Sequence, residues 1–382
     1  MLVVQITQSF FSHGGVMKRS RQETLALLET GHKVIVITDL RWTSHMYQFE
    51  TYKDKLRIIP LETIYIYGLR NLSSQLSFSF KTYYSLKKIA KKEKIDLIVS
   101  HQAVTCYAIA PLAKKLKIPS VLVIQDVIRD RIATGNPYNW LETRIFKHSN
   151  LYAFKKMNYV IVVSKYNKKL VLMDGANPKT TFIKYNAVNT ELFVPGEKIT
   201  KDIDILFIGR LSIEKGIDIL IDSLNYLARK KKIIIIGEGP LRRELELQAH
   251  KIKHHDIIFE GFIEHTLLPE YIRRTKLVVA PSRSECQASV PLESMACGVP
   301  VIASNVSGME DSIQHDKSGW LLDKNNSENL GNLIGMVLND ENMLKKVGKT
   351  ARKQSELFSE KKFFKDIIGF YLNLIDKYNK NV

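Results

Sequence analysis

An α/β protein of two Rossmann-like, doubly wound domains is what this sequence predicts, and three observations carry that expectation. Short β-branched runs alternate with longer amphipathic stretches, the pattern of a parallel sheet wrapped by helices. The alternation breaks once, in a polar stretch near residues 186–198 containing Pro195 and Gly196, and then begins again. The length of 382 residues is about two and a half times the ~150-residue prior for one domain. Domains at 1–190 and 191–360 follow, with a C-terminal helix at 361–382 expected to cross back to the first. The halves are expected to face a central cleft, with ligands beyond the carboxyl ends of the strands.

In the first half, apolar runs predict strands at 2–6, 33–38, 56–60, 96–100, 120–124 and 159–163. Helical spacing of apolar residues predicts helices near 16–29, 73–94, 104–117, 141–157 and 165–173, with Gly31 placed to cap the first. After the polar stretch come strands at 203–208, 232–236, 257–259, 277–280, 299–303 and 319–322. Helices near 217–229, 241–250, 267–274, 292–297 and 328–338 alternate with them. Residues 359–378 close the chain as a long helix with Phe363, Phe364, Ile367, Phe370, Tyr371, Leu374 and Ile375 on a broad apolar stripe.

Composition narrows the class. With 45% apolar and 25% charged residues the chain is globular rather than disordered. No apolar run approaches the ~18 to 20 residues needed to cross a bilayer. The run at 2–6 lacks the basic lead and the length of a cleavable signal. Cys106, Cys286 and Cys297 are too few and too scattered for a disulfide framework or a zinc site. A soluble, cytoplasmic protein is expected. The net charge of +18 is uneven: residues 1–195 hold 29 Lys and Arg against 13 Asp and Glu, and residues 196–382 hold 28 against 26. Such a basic half attracts nucleic acid, an anionic lipid surface or a phosphorylated substrate. A solvated basic face is an equal alternative.

The densest chemistry lies in SRSECQASVPLESMACGVPVIAS, residues 282–304, which sets Glu285 after a strand and Glu293 eight positions on. Pro291 suits a helix start, whose free amides and dipole favour an anion such as a diphosphate. Two acids alone would read first as a capping acid and a surface acid. They are accompanied by FIGRLSIEKG, which places Arg210 and Lys215 after a strand between Gly209 and Gly216. Two cations there suit a diphosphate gaining charge, with surface salt bridging as the alternative. IIIIGEGPL has a Gly-x-Gly turn without the third glycine of a dinucleotide fingerprint. In SHGGV, Gly14 and Gly15 let backbone approach a phosphate or sugar, or simply form a tight turn.

In order and spacing, SHGGV, ETGHKVIVITD, FIGRLSIEKG, IIIIGEGPL, IIFEGFI and the E-x7-E segment resemble the family-4 retaining glycosyltransferases of the GT-B fold. The resemblance spans essentially the whole chain. It implies that Glu285 contacts the transferred sugar, Glu293 holds the nucleotide ribose, and Arg210 and Lys215 neutralise the donor diphosphate. It places Gly14, Gly15, Gly209, Ala288, Ser289 and Val290 against the donor and the backbone of Ile263 against the base. The reaction implied is transfer of a hexose-type sugar, with retention, from a UDP- or GDP-sugar to a glycan or lipid-linked acceptor. No cofactor or metal is expected, because the two cations take the metal's part. The Asp202-x-Asp204 pair runs directly into a strand and reads as a polar linker end.

The sequence also departs from the family. Where relatives place a histidine after the fifth strand, this chain has Gln125 and Asp126, and His101 is a further candidate for that role. Gln cannot act as a base, though its amide can orient a hydroxyl. After Glu285, relatives commonly have Gly-Phe-Gly; here Cys286, Gln287 and Ala288 stand there. The family's Asn-Gly-Val-Asp segment reads Asn186, Ala187, Val188, Asn189. These changes leave room for a non-catalytic glycosyltransferase-like subunit, against which the retention of Arg210, Lys215, Glu285 and Glu293 argues. Residues 69–94 mix aromatics with Lys87, Lys88, Lys91, Lys92 and Lys94. They form either an interfacial helix against anionic lipid or, the leading alternative, a core helix with a solvated basic face. More basic charge follows in residues 155–169. Nucleic acid is not an expected partner, since no recognition motif is present. His254 and His255 read as surface residues.

Overall fold

The computed structural model describes residues 1–10, 15–39, 46–66, 70–125, 140–196, 199–285, 287, 289–323 and 326–380. Gly14, Asp126, Cys286 and Ala288 lie outside them. The described residues form two compact units. One takes residues 1–125, 140–185 and 361–380, and the other residues 186–360.

The first unit holds a seven-stranded sheet. Its strands are β1 (Leu2–Ile6), β2 (Lys33–Asp39), β3 (Leu56–Leu61), β4 (Leu97–Ser100), β5 (Ser120–Ile124), β6 (Tyr159–Val162) and β7 (Thr181–Ile183). They lie in the order β3-β2-β1-β4-β5-β6-β7, and every pairing is parallel. Around it run α1 (Gly15–Glu29), α2 (Arg70–Lys92), α3 (Cys106–Leu116), α4 (Trp140–Lys156) and α5 (Lys165–Met173). Strands β1, β4, β5 and β6, rich in Val, Ile and Leu, are buried at every residue, as strands of a doubly covered parallel sheet should be. Edge strand β7 was not legible: three residues cannot display a period.

The second unit has strands β8 (Ile203–Ile208), β9 (Lys232–Ile236), β10 (Asp256–Gly261), β11 (Thr275–Ala280), β12 (Val301–Ser304) and β13 (Trp320–Leu322). Their order is β10-β9-β8-β11-β12-β13, again parallel throughout. Its helices are α6 (Ile217–Ser223), α7 (Arg242–Ala249), α8 (Leu268–Arg273), α9 (Ser289–Ala296), α10 (Ser327–Leu338) and α11 (Glu341–Ser355). The predicted helix at 217–229 is shorter than expected: after Ser223 it tightens into a single 3-10 turn at Leu224–Tyr226. Helix α11 was not anticipated. Its Lys- and Arg-rich sequence hides a narrow stripe of Leu344, Val347 and Ala351, and Asp340 caps it by accepting the Met343 N–H at 2.9 Å. His255, expected at the surface, is buried. Its Nδ1 accepts from the Lys231 N–H at 3.1 Å and its Nε2 donates to the Leu224 carbonyl at 2.9 Å.

Among the described residues the chain passes into the second unit after Tyr185 and returns to the first after Glu360. In the second unit Val188 and Ser359 bridge these passages: Val188 N donates to Phe358 O, and Glu360 N to Val188 O, both at 2.9 Å. The last helix, α12 (Glu360–Asn379), then buries Phe363, Ile367, Ile368, Tyr371 and Leu374. Tyr371 Oη donates to Glu23 Oε2 of α1 at 2.8 Å inside the first unit.

Candidate functional site

In the second unit the loops after β8, β9, β10 and β11 lie side by side at the carboxyl ends of the strands. Gly209 N donates to Ile236 O at 2.9 Å, and Gly237 N to Gly261 O at 2.7 Å. At Gly237, with φ +136°, a Cβ would collide with the Gly209 carbonyl oxygen, so the Gly-x-Gly turn serves close backbone packing. Gly216 (φ +64°) ends the 3-10 turn that carries Lys215, and a Cβ there would strike the Pro281 carbonyl oxygen. The β8 loop is thereby pressed against the start of the β11 loop.

That approach brings Lys215 to Glu285: Nζ is ion-paired with Oε1, which also accepts from Ser282 Oγ at 2.9 Å. Arg283 braces the same two loops. Its guanidinium forks onto Asp218 at 2.7 and 2.6 Å and reaches Ile213 O at 2.8 Å, while its N–H donates to Glu214 O at 2.8 Å. Burial raises the Asp218 carboxyl, but the hydrogen bond and charge of Arg283 outweigh it and hold the group below its usual range. Burial likewise raises Glu214, and Ser212, its own backbone and the charges of Lys215 and Arg210 bring it below normal. Both cations are therefore within electrostatic reach of one carboxylate. Arg210 is exposed and Lys215 half-buried.

Helix α9 begins at Ser289 and Val290, both half-buried. Four residues into it Glu293 is only 2% exposed, with Oε1 2.8 Å from Nε2 of His265. His265 stands two residues past half-buried Ile263 in the β10 loop. Gln287, just before α9, is buried. Its Oε1 accepts the Asn186 N–H at 2.6 Å and its Nε2 donates to Ser312 Oγ at 3.3 Å. The pair Asp202 and Asp204 is taken up by cations: Arg274 forks onto Asp202 at 2.8 and 2.6 Å, and Lys276 meets Asp204 at 2.8 Å.

In the first unit α1 starts at Gly15 and Gln125 follows β5, buried, its carbonyl accepting from Asn167 Nδ2 at 3.2 Å. His101 is interior. Burial above all depresses its imidazole to about 4, against the pull of Glu23 and with Arg19 adding to the depression. Its Nε2 lies 3.5 Å from Glu23, which pairs with Arg19 at 2.6 Å, all three side chains being shielded from solvent. The His101 side chain is thus enclosed within the first unit.

Arg283, Asp218, Ser282, Gln287 and His265 were missed as participants. Arg283, Ser282 and Gln287 sit inside the segment that carries Glu285, and His265 close to Ile263. Ser282 meets Glu285 only three residues on, but the partners of the other four lie 25 to 101 residues away, and local spacing cannot reveal them.

Known proteins resemble the chain over almost its whole length. An uncharacterized glycosyltransferase of Methanocaldococcus jannaschii, MJ1178, is 28% identical over 337 residues, covering 87% of this chain and 90% of that one. The sucrose-phosphate synthase of Thermosynechococcus elongatus superposes with a TM-score of 0.84 at 20% identity, over 98% of this chain and 99% of that one. Anabaena HepE, solved with UDP and glucose, gives a TM-score of 0.78 at 18% identity, over 98% and 100%. These superpositions establish the GT-B fold. Residues 13–192 match Glycosyltransferase Family 4 and residues 188–354 match Glycosyl transferases group 1. With the two matches running from residue 13 to residue 354, the chain belongs to the glycosyltransferases, a Family 4 domain leading into a group 1 domain.

Proposed function

We propose that this glycosyltransferase moves a hexose-type sugar, with retention and without a metal, from a UDP- or GDP-sugar to a glycan or lipid-linked oligosaccharide. The observation that carries the proposal is the meeting of Lys215, Ser282 and Glu285 at the strand ends beside the α9 start. The anomeric C–O bond breaks toward the nucleoside diphosphate. Its growing charge meets Arg210, Lys215 and the free amides of Ser289 and Val290. Glu285 orients the sugar hydroxyls, Glu293 accepts from the ribose, and the Ile263 backbone faces the base. The acceptor oxygen forms the new bond on the same face and gives its proton to the departing phosphate oxygen. Gly209 completes the donor contacts within the second unit. The UDP held by the HepE structure supports a nucleotide donor.

The acceptor is proposed to be membrane-held, with the protein peripheral on the cytoplasmic face. Helix α2 buries Phe78, Leu86 and Ile89 yet leaves Leu76, Phe80 and Tyr84 44 to 63% exposed at i, i+4, i+8 spacing. Exposed Lys87, Lys88, Lys91 and Lys92 follow on the same helix. An apolar stripe beside a basic one suits an anionic lipid surface. No described helix is long and apolar enough to cross a membrane.

A thermal-shift panel of UDP- and GDP-sugars against wild type and Glu293→Ala tests the donor. Ligand at a hundred times its Kd stabilises the fold by about 2.7 kcal/mol. One nucleotide should raise Tm and lose that effect in the variant. No shift from any member would favour a non-catalytic subunit. Product anomer by NMR, with EDTA present, tests retention and metal independence, and flotation on vesicles with and without anionic lipid tests membrane binding.

A further inference from the structure

Glu293 is a carboxylate removed from water, and such a group needs hydrogen-bond donors to remain charged. His265 supplies one, Nε2 to Oε1 at 2.8 Å. The imidazole comes from a different strand end, and it is held in turn by an edge-to-face contact with Phe193 at 5.2 Å between ring centroids. Phe193 is fully buried, and its carbonyl accepts from Arg352 Nη1 at 3.0 Å, so the ring beneath His265 is itself fixed. On its other side the His265 side chain is 45% exposed, while that of Glu293 is 2% exposed. The histidine is thus the more exposed member of the pair, next to the loop proposed to face the base.

We propose that His265 is a positioning residue for the donor's ribose: by holding one oxygen of Glu293 it aims the carboxylate at the ribose hydroxyls. The inference rests on the donor-site reading above. A neutral imidazole with its hydrogen on Nε2 suffices, and a protonated one donates from the same atom. Without that donor the carboxylate rotates, and the geometry that distinguishes a 2′-hydroxyl from its absence is lost. Loss of one aligned hydrogen bond to a charged group predicts about a tenfold effect.

The test is isothermal titration of UDP, GDP and their 2′-deoxy forms into wild type, His265→Phe, His265→Gln and Glu293→Gln, with thermal unfolding to confirm each fold. Phe keeps the ring against Phe193 but removes the donor; Gln keeps a donor near the Nε2 position. Wild type should prefer one ribonucleotide over its 2′-deoxy form. His265→Phe should bind it about tenfold more weakly with that preference largely gone, and His265→Gln should keep most of both. If His265→Phe discriminates like wild type while Glu293→Gln does not, His265 is only a spacer and the inference falls, with the donor site intact. If wild type binds none of the four nucleotides, the donor-site reading falls and takes the inference with it.

Discussion

Gln287 Oε1 accepts the backbone N–H of Asn186 at 2.6 Å, which ties the Glu285 loop to the first residue of the second unit. The carbonyl of that same peptide group, on Tyr185, accepts from Arg19 Nη1 at 2.7 Å inside the first unit. The peptide where the chain leaves the first unit is therefore held at both of its polar atoms, each by its own unit. Arg19 also takes Lys184 O at 3.0 Å, pairs with Glu23 and lies 4.3 Å from the Phe363 ring centroid. One buried guanidinium thus gathers α1, the exit from β7 and the start of α12.

Gln287→Leu leaves the buried Asn186 N–H without that acceptor, which costs about 1–3 kcal/mol. Urea unfolding should show the loss. Donor KM should rise more than kcat falls, because the loop that holds Glu285 and leads into α9 is loosened; unchanged KM would separate this contact from donor binding.

Lys215→Ala and Glu285→Gln each remove a group proposed to act on the reacting sugar diphosphate. Each should lower kcat by about 10²- to 10³-fold. The pair is partly exposed, with side chains 28% and 12% accessible, so melting temperature should move little. A large drop in melting temperature with a proportionate loss of activity would mark the pair as structural instead.

The Arg283–Asp218 fork gives a pH prediction. The folded carboxyl lies below its unfolded value of about 3.9, so its contribution is present above that value and is lost as pH falls through the folded pKa. Melting curves of wild type and Asp218→Asn should differ at neutral pH and converge in acid. The contribution is small, since both side chains are about a third exposed.

His101 acts at higher pH. Its imidazole is depressed from 6.5 to about 4, so the unfolded chain takes up the proton first and stability falls as pH drops from 6.5 toward 4. The shift corresponds to on the order of 3 kcal/mol. His101→Gln should flatten the wild-type fall in melting temperature across that window, while activity near neutral pH persists once the fold is retained. An unchanged slope would mean that other groups govern it.

What the sequence determined by itself is whatever has a local cause. Buried parallel strands are mostly apolar, so β1, β4, β8 and β11 were visible as short apolar runs even with Gln5, Asp204 and Lys276 within them. Loops at strand ends are short, so Arg210, Lys215, Glu285 and Glu293 could be read in order from the spacing of glycines and charges. Strand β7 and helix α11 escaped because one is too short for a period and the other carries its apolar stripe among lysines. Tertiary structure alone decided which side chains meet across the sheet. Lys215 reaches Glu285 over 70 residues, Gln287 reaches Asn186 over 101, and Tyr371 reaches Glu23 over 348. It also decided that His101 is an interior group and His265 a partner of the buried acid. The reason is physical: burial and hydrogen-bond partnership belong to the packed chain, and no residue's neighbours along the sequence specify which distant backbone or side chain will be pressed against it.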